Sequence, residues 1–204
     1  MPILPDRRYT LEEYFALELS SDEKYEYFDG EVFSMAGASL AHGQIVANVI
    51  VSLRNSLRGR PCRVLPSNAR VKVPSLPPYR YPDITALCEA PRSESIGGLD
   101  VLANPALIVE VLSPGTEAYD RGDKFTHYKS IESFAEYLLI AQHRPHATHY
   151  VKNADATYAT WSYEELNGLD QTLRLATLDC ALTLTDVYQD VEFPPTNVPP
   201  LERR

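Results

Sequence analysis

The run Ala106-Leu-Ile-Val-Glu110-Val-Leu112, closed by Ser113-Pro-Gly-Thr116, decides the fold. Its apolar, partly β-branched residues match a strand buried on both faces, and Ser-Pro-Gly cannot continue a sheet. A lone carboxylate in such a strand costs several kcal/mol, roughly, if left unpaired. Glu110 must therefore be neutralised, hydrogen-bonded or bound to a cation, and it is the first place to look for chemistry. Upstream, Tyr81-Pro-Asp83-Ile-Thr-Ala-Leu87 is a second apolar strand that opens on a carboxylate. Downstream, Asp120 and Lys124 share one face of a helix expected from about 120 to 131, and a strand at 136–141 follows. That order is a β-α-β unit, which makes a parallel strand pair.

Outward from this centre, Thr10-Leu-Glu-Glu13 is a capping box opening a short helix that ends near Leu19. Asp29-Gly30 between Tyr25-Glu-Tyr-Phe28 and Glu31-Val-Phe-Ser34 reads as a hairpin. Ser39 caps a helix in which Val46, Val49, Ile50, Leu53 and Leu57 recur at helical spacing until Gly59. His42 lies four residues before Val46 and so points to the same side. Residues 62–65 and 69–73 are short strand candidates. Pro74 to Pro82 reads as an extended surface loop, and Pro91 to Gly98 as a mobile one. Beyond residue 148 come short antiparallel strands at 148–151, 156–161, 172–175 and 180–182, then a helical turn at 185–188.

The chain has 204 residues, 44% hydrophobic and 23% charged, as expected for one domain over residues 1–193 with a loose tail at 194–204. No apolar run is long enough to cross a bilayer as a helix, and the first residues lack the layout of a secretory signal. Cys62, Cys88 and Cys180 are widely spaced and odd in number, so no disulfide framework is expected, and a cytoplasmic location fits. The net charge of −9 opposes a polyanionic partner, yet Val32 to Pro82 contains no acid while carrying Arg54, Arg58, Arg60, Arg63, Arg70, Lys72 and Arg80. Of these, Arg58, Arg60, Arg70, Lys72 and Arg80 are the candidates for a phosphate-gripping surface. Solvated helix and hairpin faces that happen to carry arginines account for the same pattern.

Asp83 and Glu110, on neighbouring strands, form a hard-oxygen pair suited to Mg²⁺ or Mn²⁺, which takes few protein oxygens and leaves room for water and phosphate. Lys124, projected from the helix after the Glu110 strand, can position an attacking water or offset phosphate charge. A surface ion pair with Asp120 is the alternative for that lysine. Glu26 and His42 are further candidates to line the site.

These residues carry a resemblance. The chain resembles the Uma-type family of restriction-endonuclease-like proteins, a branch of the PD-(D/E)XK nuclease superfamily. The matching segments are Tyr25-Glu-Tyr-Phe-Asp-Gly-Glu31, Ser39 to His42, Tyr81-Pro-Asp83, Pro105 to Pro114, Asp120-Arg-Gly-Asp-Lys124 with Tyr128, Glu136-Tyr-Leu-Leu-Ile140 and Asp186-Val-Tyr188. The resemblance implies an α/β (α+β) fold, a mixed sheet flanked by helices with an N-terminal helix and hairpin. It implies Asp83 and Glu110 as ligands of Mg²⁺ (or Mn²⁺), the Val111 carbonyl as a third ligand, and hydrolysis of DNA phosphodiester bonds. The superfamily's lysine, two residues after the Glu, is replaced here by Leu112, so Lys124 is expected to stand in for it. Two other readings stay open: a catalytically silent nucleic-acid-binding or assembly module that keeps the fold, and a Glu110 buried for structure and paired with an arginine such as Arg70. Symmetric cutting of two strands would favour a homodimer.

Overall fold

Local signals set the first elements of the chain, whose computed structural model describes residues 7–35, 37–76, 78–153 and 159–193. Thr10 and Glu13 form the expected capping box of α1 (Leu11–Ser20). Asp29 and Gly30 both adopt positive φ (45° and 84°) between β1 (Tyr25–Phe28) and β2 (Glu31–Ser34), as a tight hairpin turn requires. The Ser39 side chain accepts the His42 amide and caps α2 (Leu40–Ser56), which buries Ile45, Val49 and Leu53.

The strands that follow are β3 (Arg63–Pro66), β4 (Arg70–Lys72), β5 (Tyr79–Arg80), β6 (Ile84–Leu87), β7 (Ser93–Ile96), β8 (Leu99–Leu102) and β9 (Leu107–Leu112). Helix α3 (Glu117–Tyr119), a π-helical turn (Asp120–Lys124) and α4 (Phe125–Tyr128) then succeed one another without a break. After them come β10 (Glu136–Ala141), β11 (His146–Lys152), β12 (Trp161–Asn167), β13 (Thr172–Leu175), β14 (Cys180–Thr183) and α5 (Leu184–Val187).

The main sheet has the order β12-β11-β10-β9-β6-β3, and its central pair β9 and β10 is parallel, as the β-α-β reading requires. Every residue of both central strands is buried. Because side chains alternate along a strand, β9 sends Leu107, Val109 and Val111 into the core under α2, and Ile108 and Leu112 into a second core with Tyr128, Phe134 and Tyr137. Glu110 takes the parity of Ile108 and Leu112, which directs it toward the helix that follows its own strand. A third, tyrosine-rich cluster joins α1 and the β1–β2 hairpin to the smaller sheet β5-β4-β8-β7.

Several expectations are corrected. The stretch read as a mobile loop at 91–98 supplies β7 and the turn of a hairpin with β8, with Gly97 and Gly98 at positive φ. The proline-rich stretch is no surface loop at its C-terminal end, because Tyr79, Arg80 and Tyr81 are buried. The helix expected from 120 to 131 starts at Glu117, ends at Tyr128 and contains the π turn. Cys62 and Cys88 are joined in a disulfide, since β3 and β6 run antiparallel and pair Arg63 with Leu87 one step inside the two cysteines. That bond goes against the expectation of no disulfide framework, so the cysteines no longer favour a cytoplasmic location. The strand expected at 156–161 falls partly, and the tail at 194–204 wholly, outside the described residues. Among the described residues no helix is long and apolar enough to cross a membrane.

Candidate active site

Asp83 sits one residue before β6, whose Ile84 pairs with Val109, so the next step of the antiparallel register brings Asp83 level with Glu110. The amide of Asp83 donates to Glu110 Oε2 (3.4 Å), and the amide of Val111 donates to Asp83 Oδ2 (2.7 Å). His42, in the first turn of α2, places Nε2 3.1 Å from the same Oδ2. From the π turn, Lys124 Nζ stands 2.8 Å from Glu110 Oε1 and 3.2 Å from Asp120 Oδ1. All of these residues, with Glu26 of the hairpin, line one cavity of about 200 Å³.

The surroundings set the charges. Burial pushes the Glu110 carboxyl up to about 8, against the pull of Lys124, and the neighbouring Asp83 and Asp120 push the same way as burial. Burial also opposes ionisation of Asp83, but His42, Lys124 and the Val111 amide outweigh it and hold that carboxyl below its usual range. Burial works against the Lys124 ammonium too, yet Glu110, Tyr128, Asp120 and Glu26 keep its pKa well above normal. Of the facing pair, Asp83 is therefore held ionised and Glu110 is one that a bound cation would help to ionise, with the Lys124 cation beside them.

The donor set fits a hard divalent ion in kind. Two carboxylates of opposite tendency converge on one cavity, and Glu110 gains by neutralisation. Asp83 and Glu110 are the pair that could hold such an ion, and among the described residues no group of three or more His, Cys, Asp or Glu is placed to hold one.

The structure brings Asp83, Glu110, Val111, Lys124, Asp120, His42 and Glu26 together. The basic candidates are scattered instead. Arg70 pairs with Glu18 (3.3 Å), Lys72 with Glu94 (2.6 Å), and Arg80 is buried 3.9 Å from Glu26. Arg58 is exposed past the end of α2, where Arg60 donates to the Asp179 carbonyl. No single basic surface forms from these five, and the cation at Glu110 is Lys124 rather than Arg70. Sequence reading gave no site role to Tyr128, whose hydroxyl donates to Glu110 Oε1 (2.9 Å). Its position four residues after Lys124 was the available signal, because such a pair shares a helix face.

Residues 11–185 match the model of a family, Uma2, described as "Putative restriction endonuclease". Two proteins of Synechocystis sp. (strain ATCC 27184 / PCC 6803 / Kazusa), both described as uncharacterized, are similar in sequence. The first, slr1290, is 31% identical over 192 residues, covering 94% of this chain and 97% of its own. The second, sll1609, is 33% identical over 159 residues, covering 78% of this chain and 88% of its own. The crystal structure of a protein described as a putative nuclease from Anabaena variabilis ATCC 29413 superposes with a TM-score of 0.67 at 18% identity. It covers 88% of this chain and 97% of that one, so the two share a fold.

Proposed function

Because the chain belongs to the Uma2 family of putative restriction endonucleases, we propose that it is a divalent-metal-dependent endonuclease that hydrolyses DNA phosphodiester bonds. The observation that carries this reading is the meeting of Asp83, Glu110 and Lys124 in one cavity, although 27 and 14 residues separate them in the chain. Asp83, Glu110 and the Val111 carbonyl would hold Mg²⁺ or Mn²⁺, which supplies Lewis-acid polarisation of the phosphate and a more acidic water. Lys124 would position the attacking water or offset charge on the phosphate. Asp120 tethers that ammonium, and Tyr128 fixes the Glu110 carboxylate. His42 orients Asp83 and supports its ionised form. Two copies related by a twofold axis would present two such sites to the two strands of a duplex. A cytoplasmic location fits a DNA substrate.

A second reading, a catalytically silent binding module, is favoured by one contact, the Lys124 ammonium resting directly on Glu110. Plasmid nicking separates the two. With Mg²⁺ or Mn²⁺ the wild-type protein should nick supercoiled DNA, and Glu110→Gln and Asp83→Asn, folded by circular dichroism, should lose activity by on the order of 10³-fold or more. Cleavage that persists in the Glu110 variant, or a wild-type protein inert with every divalent ion, would overturn the proposal.

A further inference from the structure

At the end of α2 remote from the carboxylate site, a cavity of about 210 Å³ is lined by Arg54, Asn55, Arg58, Arg60 and Cys62, and none of the described residues around it is an acid. The sequence accounts for its form. Gly59 at positive φ (79°) turns the chain back just past the helix end, so arginines from the last turn of α2 and from the turn itself gather round the half-buried Cys62. Arg54 and Arg58 are exposed and have neither an ion-pair nor a hydrogen-bond partner among the described residues. Arg60 Nη1 donates to the Asp179 carbonyl (3.1 Å), while the Asp179 carboxylate lies 3.8 Å from Arg174. Three cations thus border a small space that no described carboxylate shares.

Cys62 is one half of the disulfide to Cys88. The two halves differ in their surroundings, because Cys88 does not line the cavity and is followed by the exposed Glu89. A disulfide opens when a thiolate attacks one of its sulfurs, at a rate set by access, by the thiolate present and by which sulfur is struck. Unpaired cations beside one sulfur raise the local concentration of an anion, and such steering is worth about 10–10³-fold in rate. An anion therefore meets Cys62 on the attractive side of the bond and Cys88 on the repulsive one. A bond kept only to tie β3 to β6 needs no such cations beside it.

We propose that this cavity docks small thiols that carry a carboxylate or sulfonate and directs them at the Cys62–Cys88 bond. The incoming thiolate sulfur bonds to Sγ of Cys62, the Cys62–Cys88 bond breaks, and Cys88 leaves with the electron pair as a thiolate that takes a proton from water. One disulfide is exchanged for another, so no separate oxidant or reductant enters the step. The site is distinct from the carboxylates and stands whether or not they cleave DNA.

The test treats the oxidised full chain with 2-mercaptoethanesulfonate, 2-mercaptoethanol or cysteamine at equal thiolate concentration, quenches with acid, and follows opening of the bond by intact mass and peptide mapping. These thiols share a reacting group and differ in the charge at the other end, which is anionic, neutral and cationic in turn. The sulfonate should open the bond about tenfold or more faster than cysteamine, with mercaptoethanol between them, and its adduct should map to Cys62. In about 1 M salt, where the screening length is about 3 Å, the spread should shrink to about twofold. Arg54→Gln combined with Arg58→Gln should abolish the advantage of the sulfonate while leaving the cysteamine rate within about twofold, which also reports that the variant keeps the fold. Both side chains are exposed, whereas Arg60 stays in place because it holds the Asp179 carbonyl. Equal rates for the three thiols, an adduct on Cys88, an advantage that survives the double variant, or a bond that none of the three opens overturns the proposal. Plasmid nicking takes no part in the readout, so failure here leaves the nuclease reading standing.

Discussion

Glu18 and Glu110 are both carboxylates buried to a few per cent exposure beside a cation, yet one is closed and the other open to chemistry. Glu18 accepts from the Tyr25 amide (2.7 Å), the Tyr79 hydroxyl (3.0 Å), the Tyr81 hydroxyl and Arg70 Nε (3.3 Å). Four donors converge on it, and it lines neither cavity described above. Glu110 accepts from Tyr128, the Asp83 amide and Lys124, but it faces a cavity shared with a second carboxylate. Burial of a charge is therefore a poor marker of function taken alone. What distinguishes the site is unsated acid beside accessible volume.

The largest effect expected from breaking this comparison is at the closed cluster. Glu18→Ala strips the partner from Arg70 and leaves two tyrosine hydroxyls and an amide without their acceptor. Removing one member of a buried pair costs about 3–5 kcal/mol, and urea unfolding should register a loss of that size with any residual nuclease activity unchanged per folded molecule. A loss below about 1 kcal/mol, the ordinary value of an exposed pair, would show that Glu18 is no anchor.

The next effect sharpens the contrast through pH. The folded state raises the Glu110 pKa from about 4.5 to about 8 because burial penalises the charged form. A group so raised contributes stability that is complete below its unfolded pKa and is lost as pH climbs through the folded one. Metal-free protein should thus weaken between pH 5 and pH 8–9 by about 2–4 kcal/mol relative to Glu110→Gln, whose neutral amide does not titrate. Mg²⁺ should restore the wild type by stabilising the ionised carboxylate and should leave the Gln variant unmoved. Thermal unfolding across pH with and without the ion reads both. A flat difference between the two proteins would mean that Lys124 already ionises Glu110 in the absence of metal.

The two carboxylates also differ in how legible they were. Glu110 announced itself because six apolar neighbours in a strand-length run leave a charge no inexpensive environment. Strand parity and the β-α-β order then aimed it at Lys124. Glu18 gave no such signal: it lies in an amphipathic helix with exposed Glu12 and half-buried Glu13, and its burial comes from Arg70, Tyr79 and Tyr81, some 52–63 positions away. The prolines around Tyr79 and Tyr81 suggested a surface loop, but the rings between them carry enough apolar area to turn inward. The π turn was illegible because its wider winding has no side-chain period of its own, although its position at Asp120 and Lys124 fits the frequent placing of such turns at functional sites. The Cys62–Cys88 bond needed a register that only strand pairing fixes. Gly97-Gly98 between two short alternating runs was a readable hairpin signal outweighed by the polar composition around it.

The smallest effect comes from a third acid, Glu94, which completes the series by being exposed. Its partner Lys72 lies 2.6 Å away across the smaller sheet, with both side chains more than a third in water. Screening by solvent should hold Lys72→Ala to less than about 1 kcal/mol in urea unfolding, several times less than Glu18→Ala. The same variant asks whether Lys72 grips phosphate. If it does, DNA affinity falls at every sequence tested and the slope of log affinity against log salt drops by about 1. Because Glu94 already occupies the ammonium, an unchanged slope is expected, and a changed one would return Lys72 to the DNA-binding face.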